Sequence, residues 1–175
     1  VRSRRQRQMC IRDRGGFSAF VEAIASARRI ALYGVGREGL AIKGFAMRLF
    51  HLGLDVSMVG DMTTPSIGPG DLLVVSAGPG GFSTVDGLMG VARAAGARIA
   101  LVTANPGGSA AQLADTALVV PAQTMADDVG GASVLPMGSL FEGAGFILFE
   151  MAVMALAQRL GVGADAMRAR HTNLE

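Results

Sequence analysis

The sequence predicts a single α/β domain built on a parallel sheet, and three observations support this prediction. The chain has 175 residues, which is room for one domain of ordinary size. Half of these residues are hydrophobic, 17% are charged and 25 are glycine, a composition too apolar for disorder and too rich in glycine for a plain helical bundle. Short continuous apolar runs alternate with stretches of helical periodicity, as a parallel sheet buried on both faces requires.

Five apolar runs predict the strands, and the stretches between and after them predict helices that cover both faces of the sheet. The predicted strands are residues 30–33, 56–59, 72–76, 98–103 and 117–120. The predicted helices are residues 39–52, 83–95 and 138–160. In such a sheet the loops at the carboxyl ends of the strands form the ligand site, so we expect the functional residues there.

The helix predicted over residues 138–160 is apolar enough to raise the question of a membrane. Glu142 and Glu150 interrupt it, and the remaining apolar pieces are shorter than the roughly 18 to 20 residues that a bilayer needs. We therefore interpret it as a buried core helix or a subunit-interface helix. A helix that is apolar on nearly all sides must be covered all round, which in a small domain favours an oligomer.

Residues 1–14 differ from the rest of the chain. They hold six arginines and one aspartate, a net charge of +5, and they have neither apolar periodicity nor the hydrophobic segment of a signal peptide. We predict no helix here and interpret the segment as a non-native artefact, because residues 9–13 resemble a translated sequencing adapter. A disordered basic surface tail is the alternative.

Without that segment, residues 15–175 hold 10 basic and 13 acidic residues, a net charge of −3, which offers no basic face to a nucleic acid. Cys10 is the single cysteine, so the rest of the chain has no thiol for a disulfide, a cysteine-ligated metal site or thiol catalysis. These observations predict a cytoplasmic protein with no nucleic-acid and no membrane partner.

A glycine pattern, Gly34-x-Gly36-x-x-Gly39, joins the first predicted strand to a helix. Small residues there let backbone N–H groups approach a phosphate at the positive end of the helix dipole. The pattern is also typical of dinucleotide binding, with Asp61 as the ribose-binding acid, although Asp61 lies 27 residues after Gly34, late for that role. A turn needed only for tight packing of strand on helix is the third interpretation.

The loop of residues 76–84, after the third predicted strand, is the stronger phosphate candidate. Its glycines allow several N–H groups to face one anion, and its hydroxyl side chains can add donors. Ser83 can instead serve as the N-cap of the following helix. The loop lacks the Gly-Lys-Ser/Thr ending of a nucleoside-triphosphate P-loop. The candidate ligands are Ser76, Gly78, Gly80, Gly81, Ser83 and Thr84.

Candidates for proton transfer are few. Glu142 lies at the start of the long apolar helix, where burial would favour its protonated form and suit it to acid–base work near neutral pH. Its alternative role is electrostatic, as an acid at a helix N-terminus. His51 and His171 are the two histidines; we expect His51 at the surface or capping a helix, and His171 by itself indicates little.

Phe45-Ala46-Met47-Arg48-Leu49 and the terminal Arg170-His171-x-x-Leu174-Glu175 are the most specific patterns, and Thr64-Pro65 and residues 136–142 accompany them. Together these segments resemble the 6-phospho-3-hexuloisomerases of the sugar isomerase (SIS) family. The resemblance implies a five-stranded parallel sheet with helices on both faces. It also implies a homotetramer that interconverts 3-hexulose 6-phosphate and fructose 6-phosphate without a cofactor or metal.

By this resemblance, Glu142 is the base that moves a proton between adjacent carbons through an enediol. His171 would assist ring opening or hydroxyl proton transfer, reaching the site of a neighbouring subunit. The loop of residues 76–84 would hold the phosphate, and Arg37 and Thr64 would line the sugar pocket. The implied substrate-binding residues are Gly36, Arg37, Thr64, Ser76, Gly78, Gly80, Gly81, Ser83 and Thr84.

The chain departs from the family pattern in three places. The loop usually reads Ser-Gly-Ser-Gly-Glu-Thr-x-Ser, and residues 77–82 remove hydroxyls and a carboxylate from it. Glu38 stands where Gly-Arg-Ser-Gly usually has its serine, and we expect its charge to repel a phosphate or sugar. The first helix is short, covering residues 17–27, so we expect the native N-terminus to be missing. Two alternatives stay open: a non-catalytic sugar-phosphate-binding module and a nicotinamide dinucleotide-binding enzyme.

Overall fold

The structure is a computed structural model that describes residues 4–127 and 134–174, with side chains from residue 15 onward. Its helices are α1 (Arg4–Ala25), α2 (Gly36–His51), α3 (Ser83–Ala94), α4 (Ser109–Leu113), α5 (Ser139–Leu160) and α6 (Ala164–Ala169). Its strands are β1 (Ile30–Gly34), β2 (Val56–Met58), β3 (Leu72–Ser76), β4 (Arg98–Thr103) and β5 (Thr116–Val119). A single 3₁₀ turn, Met125–Asp127, precedes the undescribed residues 128–133.

The strands form one parallel sheet in the order β2-β1-β3-β4-β5. In the centre of the sheet, Ile30 of β1 lies opposite Val56 of β2 on one side and Leu72 of β3 on the other. This confirms the predicted five-stranded α/β fold, and no strand end differs from its predicted position by more than one residue.

Successive side chains of the strands enter two different cores, because a strand points alternate residues to opposite faces. Ile30 and Leu32 contact the core under α1, α2 and α5, whereas Ala31 contacts the core under α3 and α4. The first core also takes Leu72, Val74, Ala100 and Val102, and the second takes Leu73, Val75, Ile99 and Leu101. Both faces are buried, which is why the strands appear in the sequence as continuous apolar runs.

Helix α1 begins at Arg4, so the prediction of no helix in the N-terminal segment is wrong for the backbone of residues 4–14. The physical reason is that the buried Phe20 and Ile24 hold the later part of α1 against the core, and the arginines and glutamines before Gly15 are good helix formers that continue it despite the cost of Gly15 and Gly16. Residues 1–3 lie outside the described residues. The artefactual origin of residues 1–14 stays a prediction.

Within the described ranges, α5 is the one helix long and apolar enough to span a membrane by length and composition. Its inner side is part of the first core, where the rings of Phe45 and Phe149 stack with centroids 4.6 Å apart. Glu150 accepts a hydrogen bond of 3.0 Å from the guanidinium of Arg48 on α2. Helix α5 is therefore a core helix of this domain on one side, and its other side carries exposed apolar residues.

Candidate active site

The strand order places a crevice at the carboxyl ends of β1 and β3. After β1 the chain continues to β2 on one side, and after β3 it continues to β4 on the other side. The loops that follow β1 and β3 therefore diverge, and the space between them is the crevice. A cavity of about 260 Å³ lies in this crevice. Its lining consists of Val35, Gly36, Arg37, Glu38, Pro79, Phe82, Thr124, Met125, Met137, Gly138, Phe141 and Glu142.

The glycine pattern of residues 34–39 shapes one wall of this cavity. A Cβ atom on Gly39 would lie 2.6 Å from the carbonyl oxygen of Gly34, a backbone atom that cannot move aside. Gly36 has φ +57°, in the left-handed region that favours glycine. Tight packing of β1 against α2 thus accounts for Gly39, and the turn places Arg37 and Glu38 in the cavity wall.

Glu142 lies in the first turn of α5, and its side chain is 20% exposed. The Nε of Arg37 lies 3.0 Å from its carboxylate. Arg37 also donates a hydrogen bond of 2.9 Å to the Ser139 hydroxyl and another to the carbonyl oxygen of Met137. The sequence suggested apolar surroundings for Glu142, but the packing of α2 against α5 brings a guanidinium to it instead. The carboxylate is therefore held in one orientation at the cavity wall.

The turn before α5 has an unusual backbone. Met137 has φ +57° and Gly138 has φ +77°, both in the left-handed region. A Cβ atom on Gly138 would lie 2.7 Å from the backbone nitrogen of Met125, so only glycine fits. Thr124 is 2% exposed and donates 3.0 Å to the Asp127 carboxylate. This close approach lays the segment after β5 against the start of α5 and closes that side of the cavity.

Glu38 is 8% exposed and reaches from α2 into the loop after β3. Its carboxylate accepts a hydrogen bond of 2.5 Å from the Ser76 hydroxyl. The backbone N–H of Gly78 donates to both carboxylate oxygens, at 3.0 and 3.1 Å. Burial raises the pKa of Glu38 above its ordinary value, while the hydrogen bonds from Ser76 and Gly78 oppose that rise. Glu38 therefore does more than add a negative charge near the site, because it binds two groups expected to hold phosphate.

The rest of the loop lies beside the cavity. Gly80 and Gly81 do not line it; Gly80 packs against Asn105 after β4, and Gly81 packs against Ser109 at the start of α4. Ser83 and Thr84 are exposed at the start of α3. The N-cap interpretation of Ser83 is wrong, because the helix begins one residue earlier than that role requires and Phe82 is the N-cap. Ser83 and Thr84 are therefore accessible to a ligand at the N-terminus of α3.

Two other predicted residues lie elsewhere. Thr64 lies in the connection after β2 and does not line the cavity. Its hydroxyl donates a hydrogen bond of 2.5 Å to the carbonyl oxygen of Met58, the last residue of β2. Asp61 lines a separate cavity with Lys43 and Thr63 at the edge of the sheet. The structure therefore does not bring Thr64 or Asp61 to Glu142.

His171 lines yet another cavity, with Arg48, His51, Ala164, Met167 and Arg168. The rings of His51 and His171 lie 5.2 Å apart, and His51 is 5% exposed, so the expectation of a surface His51 is wrong. The C-terminal segment covers His51, and Arg170 donates 3.1 Å to its carbonyl oxygen at the end of α2. Arg37 and His51 mark the two ends of α2, about 21 Å apart at a rise of 1.5 Å per residue. His171 and Glu142 of one chain therefore do not share a cavity.

Sequence reasoning assigned no site role to several residues of the cavity wall, among them Phe141, Thr124 and Met125. Phe141 is 3% exposed and packs its ring against Gly78, and Thr124 and Met125 come from the segment after β5. Phe141 is adjacent to Glu142 and could have been found by that proximity, but no periodic or motif signal marks the other two. Among the described residues, no group of three or more His, Cys, Asp or Glu side chains is arranged to hold a metal ion.

A doubly wound sheet with a carboxylate and a guanidinium at its switch point defines an α/β protein that binds a small polar ligand. The chain belongs to the SIS domain family, whose family model matches residues 23–138.

Relatives with assigned names agree with this membership. The chain is 41% identical to the 3-hexulose-6-phosphate isomerase of Mycobacterium gastri over 152 residues, 87% of this chain and 76% of that protein. It is 32% identical to the 3-hexulose-6-phosphate isomerase of Bacillus subtilis (strain 168) over 87% of this chain and 83% of that protein. A crystal structure from Methanococcus jannaschii, with an inferred molecular function of 3-hexulose-6-phosphate isomerase, superposes with a TM-score of 0.81 at 29% identity, covering 93% of this chain and 87% of that one.

Proposed function

We propose that this protein is a ketose-phosphate isomerase that interconverts 3-hexulose 6-phosphate and fructose 6-phosphate without a cofactor. The single observation that supports this most strongly is Glu142, oriented by Arg37 at 3.0 Å in the crevice of the sheet. The reaction needs a positioned base beside a bound sugar phosphate. The 41% identity to an isomerase of that name supports the choice of substrate.

In the proposed reaction Glu142 takes the proton from C2 of 3-hexulose 6-phosphate. The electron pair of the broken C2–H bond forms the C2=C3 bond of an enediol. Glu142 then returns the proton to C3, and a hydroxyl proton moves from O2 to O3, which leaves the carbonyl at C2 of fructose 6-phosphate. Arg37 keeps the Glu142 carboxylate facing the substrate, and its positive charge favours the negative charge that develops on the enediol oxygens.

The phosphate group, in this proposal, binds at the outer part of the loop of residues 76–84. Ser83 and Thr84 are exposed there, and the first N–H groups of α3 point along the positive end of its dipole. The Ser76 hydroxyl and the Gly78 N–H already bind Glu38.

The proposal includes a cytoplasmic homotetramer in which His171 serves a neighbouring subunit. Within one chain, Arg37 in the cavity of Glu142 and His51 in the cavity of His171 lie about 21 Å apart along α2, too far for the two cavities to hold one sugar. Four residues of α5, Phe146, Ile147, Met151 and Met154, are apolar and at least half exposed. This surface supports an assembly that would bring His171 of one chain to the cavity of another.

The test is a coupled assay in which a hexulose-phosphate synthase makes the substrate from formaldehyde and ribulose 5-phosphate. We expect the wild type to form fructose 6-phosphate. The Glu142→Gln variant should lose about 10²–10⁴-fold in kcat and still bind fructose 6-phosphate, because only the proton transfer is removed. Glu22→Gln is the control, since Glu22 pairs with Arg159 on the surface of α1, and it should keep full activity.

Full activity of Glu142→Gln would contradict the role of Glu142. Tight binding of sugar phosphate by the wild type without turnover would favour the non-catalytic module. An increase in thermal midpoint with NAD or NADP would favour the dinucleotide alternative.

A further inference from the structure

Glu38 is a buried acid whose carboxylate accepts hydrogen bonds from the loop after β3. It reaches from the first turn of α2 across the crevice, and both of its oxygens lie within hydrogen-bond distance of the loop after β3. We propose that Glu38 is an internal anion that occupies the inner phosphate-binding donors of this loop, so that removing its side chain opens a second, inner phosphate site. The inference depends on the proposed function only for the identity of the natural phosphate ligand.

The donors are those that bind phosphate in other proteins, a hydroxyl and a backbone N–H that converge from one loop. Ser76 donates 2.5 Å to one carboxylate oxygen, and the Gly78 N–H lies 3.0 and 3.1 Å from the two oxygens. Glu38 is 8% exposed, so little solvent competes for these donors. A phosphate oxygen could reach them only by displacing the carboxylate.

The space around Gly78 is filled in the same way. A Cβ atom on Gly78 would lie 2.8 Å from the Phe141 ring and 3.0 Å from a Glu38 oxygen. The Gly78 carbonyl accepts a hydrogen bond of 3.0 Å from the Ala104 N–H and one of 3.3 Å from the Thr103 hydroxyl. These bonds attach the loop to the end of β4. These hydrogen bonds hold the loop in place beside Glu38, and the Phe141 ring and the Glu38 carboxylate together fill the volume next to Gly78.

Two mechanisms would lower phosphate affinity at this loop, and they predict different results. Repulsion acts through the charge of Glu38 alone, whereas occupancy acts through its volume and its hydrogen bonds. Glu38→Gln removes the charge and retains nearly the same shape, so the donors stay covered. Glu38→Ser removes the charge and also the atoms that cover Ser76 and Gly78.

The experiment is a calorimetric titration of the folded full chain with inorganic phosphate. We expect Glu38→Ser to bind phosphate at least about tenfold more tightly than the wild type, because it gains hydrogen bonds from the Ser76 hydroxyl and the Gly78 N–H. Glu38→Gln should bind phosphate about as weakly as the wild type. An equal gain in both variants would overturn occupancy in favour of repulsion, and no gain in folded Glu38→Ser would overturn the proposal altogether.

A second measurement covers the case in which Glu38→Ser does not fold. Glu38→Ala exposes the same donors, and phosphate should raise its thermal midpoint more than that of the wild type or of Glu38→Gln. Equal midpoint shifts in the three proteins would contradict the proposal. Neither measurement requires turnover, so a failed isomerase assay and a failed phosphate titration are separate results.

Discussion

Asp71 and Glu38 are both buried carboxylates, and their surroundings shift their pKa values in opposite directions. Asp71 accepts two hydrogen bonds from the Arg28 guanidinium, of 3.0 and 2.9 Å, and one of 2.9 Å from the Gly68 N–H. The hydrogen bonds from Arg28 are the main cause that lowers the pKa of Asp71. Burial is the main cause that raises the pKa of Glu38. The balance between burial and the hydrogen-bond partners therefore decides the direction in which each pKa shifts.

Asp71→Asn should destabilise the protein at neutral pH and much less in acid. A carboxyl with a lowered pKa in the folded state contributes stability above its usual pKa of about 3.9, and this contribution is lost as the pH falls through the folded value. Urea unfolding of variant and wild type from pH 7 down to pH 3 would measure it. Asp55→Asn is the control, because Asp55 pairs with Arg29 at 3.1 Å near the surface and should matter less. A stability difference that does not change with pH would contradict this explanation.

Glu38→Gln should show the opposite pH dependence. A carboxyl with a raised pKa in the folded state contributes stability below its usual pKa of about 4.3, and this contribution is lost as the pH rises through the raised value. The variant should therefore gain stability relative to the wild type as the pH rises from about 4 towards the raised pKa. The same urea series measures this difference, and a wild type that gains on the variant with rising pH would contradict it.

At the scale of elements, three phenylalanine rings join α1, α2 and α5. Phe45 of α2 lies between Phe20 of α1 and Phe149 of α5, with ring centroids 6.2 and 4.6 Å away. All three rings are at most 3% exposed. This stack fixes the position of α2 relative to α5, and that position in turn sets the contact between Arg37 and Glu142.

Phe45→Ala should cost about 3–5 kcal/mol of unfolding free energy, because it leaves a cavity between packed helices. It should also reduce isomerase activity in the protein that remains folded, since α2 and α5 would lose their fixed spacing. Phe50→Ala is the matched control on the same helix, because Phe50 is 53% exposed, and its cost should stay below about 1 kcal/mol. Equal losses from the two substitutions, measured by denaturant unfolding, would contradict this account of the stack.

At the scale of the whole molecule, the apolar outer side of α5 continues into an apolar groove of about 670 Å³ against α1 and β5. Ile147 is 64% exposed and Met154 is 72% exposed on that side. Exposed apolar patches of this kind mark surfaces that contact a protein, a membrane or a ligand, and the proposed function assigns this one to contact between subunits.

Ile147→Glu combined with Met154→Glu should give a monomer without isomerase activity, because the charges would lie in the proposed interface and His171 would no longer reach a second cavity. Mass measurement by light scattering after gel filtration would test this. Val91→Glu is the control, since Val91 is 67% exposed on α3, across the sheet, and should leave the assembly intact. A doubly substituted protein with the mass of the wild type would place the interface elsewhere.

Local sequence patterns were enough to predict the sheet, its strands and the edge at which the crevice opens. These features depend on local patterns, because a strand buried on both faces is a continuous apolar run and a helix repeats its apolar residues every three or four positions. Glu142 and Arg37 also could be named from motifs, since each lies at the start of a helix in a recognisable segment. The helical backbone of residues 4–14 was not predicted, because these residues lack apolar periodicity and belong to a helix whose buried residues lie later in the chain.

The contacts of the polar side chains could not be predicted in this way, because they depend on how distant segments pack. The hydrogen bonds that Glu38 accepts from Ser76 and Gly78 span 38 and 40 positions of the sequence. The ion pair of Arg37 and Glu142 joins two different helices. No local pattern records such contacts, because they depend on how loops from β1, β3 and α5 meet at one end of the sheet. The same packing places His171 and Glu142 at opposite ends of α2. It also lets Glu38, which was expected only to repel a phosphate, accept hydrogen bonds from the loop.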